Sequence, residues 1–376
     1  MNDLQMHLVR PEADNSDGFI QFNTIDFMLL ADGRKLVKNS VVIEFDVQTF
    51  SDNLATRVTA ADLIGCENKI GANAFCESWT TEIQSQGVIE HINDAPRWAN
   101  MVASASRDEN DCMSCISQAE GRQLTQAGGR YVLQEVRSNN LNGTDANQLT
   151  DPNFSIRPNI CLNQQSGGEI SFSKLGYVKI SFNCARNSNA LYGVGAGAST
   201  YRLRNVVCRF HTIPDDGVSS PILMNSVTSI KQTINSQQAN ILSRVPSDKV
   251  NGVVLSFLAQ SSESDPTKNS YALEKMPLLD EVQYLFSDST ARYITYSMNT
   301  RDDMVQRGVE ALNDSGVNMA SASNLKANQG EIIGLAFQEY TDLRREKFSV
   351  QIKSSSNLLS GEPRLCYLFF TTLIQL

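Results

Sequence analysis

The segment Leu365-Cys-Tyr-Leu-Phe-Phe-Thr-Thr-Leu373 decides how this chain folds. In an extended strand, successive side chains point to opposite faces, so odd-numbered residues share one face and even-numbered residues the other. Both sets are apolar here, which predicts a strand covered on both faces. The run ends at Leu376 and is much shorter than the roughly 20 residues of a membrane-spanning helix. We therefore interpret it as the closing strand of a β-sandwich and not as a membrane anchor. The two sets are Leu365, Tyr367 and Phe369, and Cys366, Leu368 and Phe370.

Strand-like alternation recurs on both sides of a polar stretch in the middle of the chain. Phe348, Val350 and Ile352 alternate with polar residues, which is the period of a half-buried strand. Helices are expected at residues 94–104, where Pro96 follows cap-forming residues, and at 301–313, after Thr300. The strand-like runs lie at 41–49, 75–84, 170–182 and 201–210 in the first half and at 253–258, 292–298, 332–337, 348–352 and 365–373 in the second.

These runs predict an all-β protein made of two tandem sandwiches. A chain of 376 residues is long enough for each sandwich to bury its own core. Residues 1–17 are polar and are expected to form an N-terminal arm, followed by a first sandwich at 18–213. Residues 214–249 are expected to form a helical linker, because Val227, Ile230 and Ile234 lie near helical spacing. The second sandwich is expected at 250–376.

The composition argues against a protein that coats nucleic acid. The formal net charge is −9 at pH 7 and the pI is about 5.0. No local run of Lys and Arg supplies the basic face that phosphate binding needs. We therefore expect no sequence-specific binding of nucleic acid. Charged residues make up 19% of the chain, below the ordinary share of about 25%, and Asn, Ser and Gln fill the difference, as suits long loops and wet contact surfaces.

The cysteines are expected to be reduced. Eight are present, without the regular spacing of a disulfide framework. The first residues show no signal-peptide pattern, so we expect a reducing compartment, with several thiols packed as small hydrophobes. Cys112 and Cys115 have the spacing of half a zinc or redox site, but no second pair of ligands accompanies them. The acidic residues at 108, 109 and 111 would also raise the pKa of a neighbouring thiol.

No other motif predicts a site of chemistry. Glycines at 193, 195 and 197 precede a strand instead of opening a helix, unlike a dinucleotide-binding loop. The acidic pairs Asp215-Asp216 and Asp302-Asp303 are explained by a turn and by a helix start, where Asp is favoured. The histidines fit no metal-binding or catalytic pattern. The sequence therefore predicts no catalytic, cofactor-binding or metal-binding residues. The histidines are His7, His91 and His211.

A further set of segments has a distinctive order along the chain. In the first half these are residues 36–48, Gly71-Ala-Asn-Ala-Phe75, Ser78-Trp-Thr-Thr-Glu82, Gly87-Val-Ile-Glu90, Asn93-Asp-Ala-Pro-Arg-Trp-Ala-Asn-Met101 and residues 199–212. In the second half they are Ile332-Ile-Gly-Leu-Ala-Phe337, Lys347-Phe-Ser-Val-Gln-Ile-Lys-Ser354 and Arg364-Leu-Cys-Tyr-Leu-Phe-Phe370. In this order they resemble the double jelly-roll major capsid proteins of tailless icosahedral viruses, the lineage of adenovirus hexons and polinton-like viruses. The likeness extends from about Phe19 to Leu376.

The resemblance implies a viral major capsid protein, with two tandem eight-stranded jelly-roll sandwiches and short inserted helices. It implies homotrimeric, pseudo-hexameric capsomers that tile an icosahedral shell, and a protein that is not an enzyme. The implied partners are copies of the same chain, neighbouring capsomers, penton and minor capsid proteins, and an internal membrane reached through the N-terminal arm. The implied location is the virion, after synthesis in the host cytoplasm and assembly in the cytoplasm or nucleus.

Three other functions remain open on the sequence. A tandem β-sandwich adhesin or lectin would bind glycans through its loops, and would carry a secretion signal or an anchor. A β-sandwich glycoside hydrolase would need a cleft with two carboxylates at a suitable separation. A minor capsid protein of the same viruses is the third, although vertex proteins usually need one jelly roll and not two.

Overall fold

The computed structural model contains two antiparallel β-sandwiches in tandem. It describes residues 3–376 except positions 14, 58–63, 68, 108–118, 122–124, 128–129, 133–150, 152, 194–195, 219, 244, 246, 248, 288–292, 317–319, 328–329, 345–346 and 356–361. Within the described part, no helix is long and apolar enough to cross a membrane.

The first sandwich combines a six-stranded and a four-stranded sheet. Its helices are α1 (Ala95–Ser106), α2 (Phe172–Leu175) and α3 (Asn187–Ala190). Its part of the chain contains the strands β1 (Gln5–Val9), β2 (Thr24–Leu29), β3 (Arg34–Leu36), β4 (Val42–Phe50), β5 (Ile64–Gly65), β6 (Cys76–Ile83), β7 (Gly87–Ile92), β8 (Thr125–Ala127), β9 (Arg130–Val132), β10 (Asn153–Ile156), β11 (Gln165–Gly167), β12 (Ile170–Ser171), β13 (Val178–Cys184), β14 (Tyr192–Gly193) and β15 (Thr200–Pro214).

The second sandwich combines a five-stranded sheet, to which the first half contributes β11, with another four-stranded sheet. Its helices are α4 (Arg301–Asp314) and α5 (Ala322–Ala327). Its strands are β16 (Ile222–Ile234), β17 (Gln238–Ser243), β18 (Val250–Ala259), β19 (Leu279–Ser287), β20 (Tyr293–Met298), β21 (Ile333–Thr341), β22 (Lys347–Ser354) and β23 (Arg364–Gln375).

Both sandwiches contain the same eight-strand path through two sheets. In the first, the sheet orders are β1-β15-β4-β10 and β2-β13-β6-β7, with β3 and β12 added beside β15. In the second they are β16-β23-β18-β21 and β17-β22-β19-β20. The chain visits the sheets in the same sequence each time, and α1 and α4 both connect the fifth strand of this path to the sixth. This is the jelly-roll topology, so the expectation of two tandem eight-stranded jelly rolls with short inserted helices is confirmed.

Strand β23 lies between two hydrophobic cores. Its odd-numbered residues Leu365, Tyr367 and Phe369 belong to a core shared with the first sandwich. Its even-numbered neighbours at 366, 368 and 370 belong to the core of the second sandwich. All of them are almost completely buried. The expectation that this strand is covered on both faces is confirmed.

Two local features are explained by residues close together in the sequence. Strand β15 contains a β-bulge, because its pairing with β4 shifts register between Arg204 and Val207, and Asn205 adopts a positive φ of 51°. Helix α4 begins at a capping residue, since the Thr300 hydroxyl accepts a hydrogen bond from the Asp303 amide at 3.4 Å.

The expectation of a helical linker at 214–249 is wrong, because most of that segment forms β16 and β17. Strand β16 pairs with β23 from Leu223 to Ile234 without a register shift. Its helix-like spacing has a simple origin: Val227 faces the core shared with the first sandwich, whereas Ile230 and Ile234 face the core of the second. Apolar residues drawn from two faces of one strand imitate a helical period.

The expectation of an N-terminal arm at 1–17 is also wrong. Residues Gln5–Val9 are the first strand of the first jelly roll and pair with β15. His7 faces Phe210 across this pair, with ring centroids 4.9 Å apart. Val9 packs against the core, whereas Met6 and Leu8 are exposed on the opposite face of the strand. Residues 5–9 are therefore not a free arm that could reach a membrane.

Shortening Phe370 tests whether β23 closes the second core. We expect Phe370→Ala to lower the free energy of unfolding by about 3–5 kcal/mol, because it leaves a cavity where a fully buried ring was. Urea denaturation measures this, with Gln375→Ala at the exposed end of the same strand as the control. A loss below about 0.5 kcal/mol, the range of ordinary surface substitutions, would contradict the placement of Phe370.

Candidate functional site at the junction between the sandwiches

The described cysteines are packed as small hydrophobes. Six of them are buried and free, as expected. Burial raises the pKa of Cys66 and of Cys184 to about 12, so these thiols stay protonated near neutral pH and are poor nucleophiles. Cys112 and Cys115 lie outside the described residues. The six are Cys66, Cys76, Cys161, Cys184, Cys208 and Cys366.

The acidic pairs have local structural roles. The Asp215 carboxylate accepts a hydrogen bond from the Ser171 hydroxyl and one from the Gly217 amide, and Asp216 pairs with Lys35. These contacts hold the pKa of both carboxyls below the usual range. The pair Asp302-Asp303 lies in the first turn of α4, where the helix dipole favours acidic side chains.

The histidines and the described glycines of the other candidate motifs lie in or beside strands. His7 contacts the Thr212 hydroxyl at 2.9 Å, and His91 contacts Thr80 at the same distance. His211 lies on β15, and Gly193 and Gly197 precede that strand. Among the residues that the structure describes, no group of three or more His, Cys, Asp or Glu side chains could hold a metal ion.

A set of specific contacts lies instead where the two sandwiches meet. Helix α1 occupies this junction and is buried on nearly every side. Its Trp98 packs on Phe369 of β23, with ring centroids 5.6 Å apart. Because Trp98 is 1% exposed and Phe369 is fully buried, this contact fixes the first sandwich directly on the closing strand of the second.

Arg97 connects the two sandwiches through the charged end of its side chain. Its guanidinium donates hydrogen bonds to the carbonyl oxygens of Ala272 at 2.7 Å and Ser270 at 2.5 Å. It also lies over the Tyr367 ring, 3.9 Å from the centroid, in cation–π geometry. Arg97 is 1% exposed, so its planar group is held by two carbonyl oxygens and one ring that all come from the second sandwich.

Tyr271 is held by polar groups of the first sandwich. The Asn100 amide donates to the Tyr271 carbonyl at 2.8 Å, and the Tyr271 hydroxyl donates to the Glu77 carboxylate at 3.0 Å. Burial raises the pKa of Glu77, and the nearby Asp94 raises it further. The junction therefore contains two acidic groups whose charged forms are destabilised by their surroundings, since burial also raises the pKa of Asp94.

A second polar contact joins β7 to β16. The Glu90 carboxylate accepts hydrogen bonds from the Cys161 amide at 2.9 Å and from the Thr81 hydroxyl at 3.1 Å. Ser226 of β16 also hydrogen-bonds to it. Burial raises the pKa of Glu90 despite these bonds. Nearby, the Ser229 hydroxyl donates to the Asn93 carbonyl at 2.9 Å, so hydrogen bonds follow β16 along the junction.

Backbone pairing completes the junction. Strand β11, from the first half of the chain, pairs with β16 from Gln165 to Gly167 and extends the five-stranded sheet. The Asn225 amide continues the contact by donating to the Gln164 carbonyl at 3.1 Å. The sandwiches therefore share a core, buried polar contacts and one β-sheet, which is the arrangement of a single rigid unit.

Whole-chain comparison with solved structures identifies the architecture. The Faustovirus major capsid protein aligns with a TM-score of 0.62 at 10% identity, covering 100% of this chain and 90% of that chain. PBCV-1 VP54, in a crystal structure fitted into a cryo-EM reconstruction of the virophage Sputnik, aligns with a TM-score of 0.60 at 11% identity, covering 100% and 95%. The chain has a double jelly-roll fold. The PBCV-1 virus capsid, as a quasi-atomic model, aligns with a TM-score of 0.56 at 11% identity over the same shares.

Comparison of sequences alone does not detect this double jelly-roll fold. No protein-family model and no curated protein matches the chain. The identities of 10–11% to the structural neighbours explain this, since a sandwich core accepts many combinations of apolar residues that keep its volume and alternation.

Part of the junction could be located from the sequence. The Pro96-Arg97-Trp98 group was recognisable as the start of a helix, but its partner across the junction was not. By alternation, Glu77 shares a face of β6 with Trp79, and Glu90 shares a face of β7 with Ile92. The pattern does not show what covers these carboxylates. Only the contacts with Tyr271 and Ser226 show that the second sandwich lies over them.

Replacing Arg97 by Lys tests the polar part of the junction. An ammonium on a flexible stem cannot reproduce the two directed hydrogen bonds and the stacking of a planar guanidinium. We expect Arg97→Lys to lower the free energy of unfolding by about 1–3 kcal/mol, the cost of leaving a buried carbonyl unsatisfied. Thermal or urea denaturation measures this. Arg307→Lys on the exposed side of α4 is the control, and equal effects of the two variants would contradict the role of Arg97.

Glu90 gives the junction a defined pH dependence. Its folded-state pKa lies above the unfolded value, so its contribution to stability is complete below the unfolded pKa and is lost as the pH rises through the folded pKa. We expect Glu90→Gln to remove this loss, so the stability of the variant relative to wild type should increase from pH 4 toward pH 8. Urea denaturation across this range measures it, with Glu82→Gln on neighbouring β6 as the control. A difference that is flat or decreases with pH would refute the assignment.

Proposed function

We propose that this double jelly-roll protein is the major capsid protein of a tailless icosahedral virus. The observation that supports this best is the whole-chain match to the Faustovirus major capsid protein and to PBCV-1 VP54, which leaves neither jelly roll of this chain unmatched. The rigid junction supports it further, because a shell subunit must present both sandwiches in a fixed relative orientation.

The proposal includes assembly into a homotrimer. Each chain provides two wedges of the same topology, so three chains around a threefold axis would give a ring of six similar wedges. Such a ring needs a head-to-tail contact that closes on itself, which cyclic symmetry provides. The capsomer would have a pseudo-hexagonal outline, suited to tiling an icosahedral shell in the virion. Penton and minor capsid proteins are further partners in this proposal.

We propose no enzymatic activity for the chain. The described thiols are buried with raised pKa values, and the acidic pairs that resemble catalytic carboxylates are engaged in a turn and a helix start. Glu90, whose pKa is raised by burial, is 3% exposed at the contact with β16, and the Glu77 carboxylate is engaged by the Tyr271 hydroxyl. Their arrangement supports a structural role in fixing the junction.

Mass measurement and imaging test the proposed assembly. We expect light scattering of the purified protein to give the mass of three 41.5 kDa chains, because each sandwich edge should find its counterpart on a neighbouring copy. Negative-stain images of assembled particles should show capsomers with threefold symmetry. A monomer at about micromolar concentration, together with particles that lack such capsomers, would contradict the proposal.

A further inference from the structure

The two jelly rolls differ in how their first strands are covered. In the second, one edge of β16 pairs with β23 and the other with β11 from the first half of the chain. Its Val227 is only 3% exposed, because the first sandwich packs over that face. In the first, the equivalent strand β1 pairs only with β15 among the described strands. The same position of the fold is thus closed in one sandwich and open in the other.

The open strand carries a continuous apolar stripe. Met6 and Leu8 lie on one face of β1, and Leu4 directly precedes the strand at the same two-residue spacing. The exposed fractions of Leu4, Met6 and Leu8 are 59%, 52% and 62%, although each is a large apolar side chain. The register places Met6 beside His211 and Leu8 beside Arg209 of β15, so a polar border follows the stripe. An apolar centre with a polar rim is the usual composition of a protein–protein interface.

An exposed edge strand with apolar side chains also invites pairing with another chain. Stable proteins usually protect such an edge with charges, proline or a covering segment. Here Arg34 contacts the Asp3 backbone at the start of the strand, but Leu4, Met6 and Leu8 have no such cover. Three large apolar side chains on an open edge therefore indicate a surface that is covered in the assembled protein.

The contact between the two sandwiches of one chain indicates what covers the apolar stripe on β1. In that contact, the side of the first sandwich that carries α1 lies on the sheet that contains β16, the first strand of the second sandwich. Helix α4 is the counterpart of α1, since both connect the fifth and sixth strands. Unlike α1, it leaves one side open to solvent, with Asp302, Asp303 and Asp314 exposed.

The charges near β1 and on α4 also favour contact between these two surfaces. Arg10 follows β1 directly, and Arg204 lines the same surface pocket beside Phe19. Both arginines are exposed. The open side of α4 also exposes Arg307, which pairs with Asp303, but the three aspartates outnumber it. The net charge of this side is therefore opposite in sign to Arg10 and Arg204, which favours the approach of these two surfaces over the approach of two like surfaces.

We propose that the stripe of Leu4, Met6 and Leu8 is the docking surface for the second sandwich of another copy of this chain, with the α4 side facing it. This inference rests on the proposed function, because it identifies an interface for the proposed trimer. In this contact, α4 of one copy would face the first sandwich of the next copy, as α1 faces the second sandwich within one copy. Repetition around the ring then covers every first strand, so the closed assembly has no open β1 edge.

A photo-crosslinking amino acid in place of Met6 tests this interface. Wild-type chains labelled with a heavy isotope are mixed with the probe variant under assembly conditions, and crosslinked peptides are identified by mass spectrometry. We expect crosslinks between position 6 and peptides of residues 222–376 from the other isotopic population. Crosslinks to the first sandwich of another copy, to a different protein or to lipid, or no crosslink in a trimer, would overturn the proposal.

Polar substitution gives a second readout. We expect Leu4→Ser, Met6→Ser and Leu8→Ser together to weaken trimerisation by about a thousandfold, roughly tenfold for each apolar side chain left exposed. Folding should be unchanged, because these side chains are already exposed in the single chain. The control is Met28→Ser with Leu30→Ser, which alters two exposed apolar residues on the opposite sheet and should leave the trimer intact.

These outcomes separate the interface from the proposed function. If the triple variant remains a trimer of unchanged stability, the interface is wrong while the capsid role stands. If the wild-type chain itself is monomeric and forms no threefold capsomers, both the interface and the capsid role fail.

Discussion

The structure depends on one constraint, which is that β23 is apolar on both faces and so must be covered on both. A sandwich has only one core, so a single jelly roll can satisfy one face of its closing strand. The second face needs another apolar surface, and α1 of the first sandwich provides it through Trp98 on Phe369. Burial of large side chains such as these contributes about 1.5–3 kcal/mol each, which is large relative to the net stability of a domain, about 5–15 kcal/mol. The two jelly rolls are therefore coupled by the same strand that closes the second.

Polar groups at the junction fix the relative orientation of the two sandwiches. Apolar contact alone would allow the sandwiches to slide, whereas the two hydrogen bonds from Arg97 and the bond from Asn100 fit only one position of the 270–272 segment. Buried hydrogen bonds of this kind are costly when broken, so they penalise other orientations. The carboxyls of Glu77 and Glu90 also lie at the junction. Their raised pKa values show that burial there destabilises the charged form of an acidic group. The proposed capsid role requires such rigidity, because the curvature of a shell depends on the angle between the wedges of its subunits.

The sequence allows prediction of elements whose pattern is decided locally. The alternation of residues 348–352 and the helix start after Thr300 depend on neighbouring residues, and both are present. The double covering of β23 was predictable because both of its faces are apolar. Elements decided by distant partners were not. Residues 170–182 were expected as one strand, but Gly176 at a φ of 80° separates α2 from β13. Strand β16 divides its apolar residues between two cores, and β1 exposes Met6 and Leu8. The junction residues therefore could not be assigned without the packing of the whole chain.

Native-state hydrogen exchange tests most directly whether the two jelly rolls form one unit. If β23 couples them, the slowest amides of α1 and those of β23 should exchange through the same global opening, with equal free energies and equal dependence on denaturant. Substituting Trp98 by Ala should then separate the two values. If the amides of α1 exchange many times faster than those of β23 in the wild-type chain, the sandwiches open independently and the shared core does not join them.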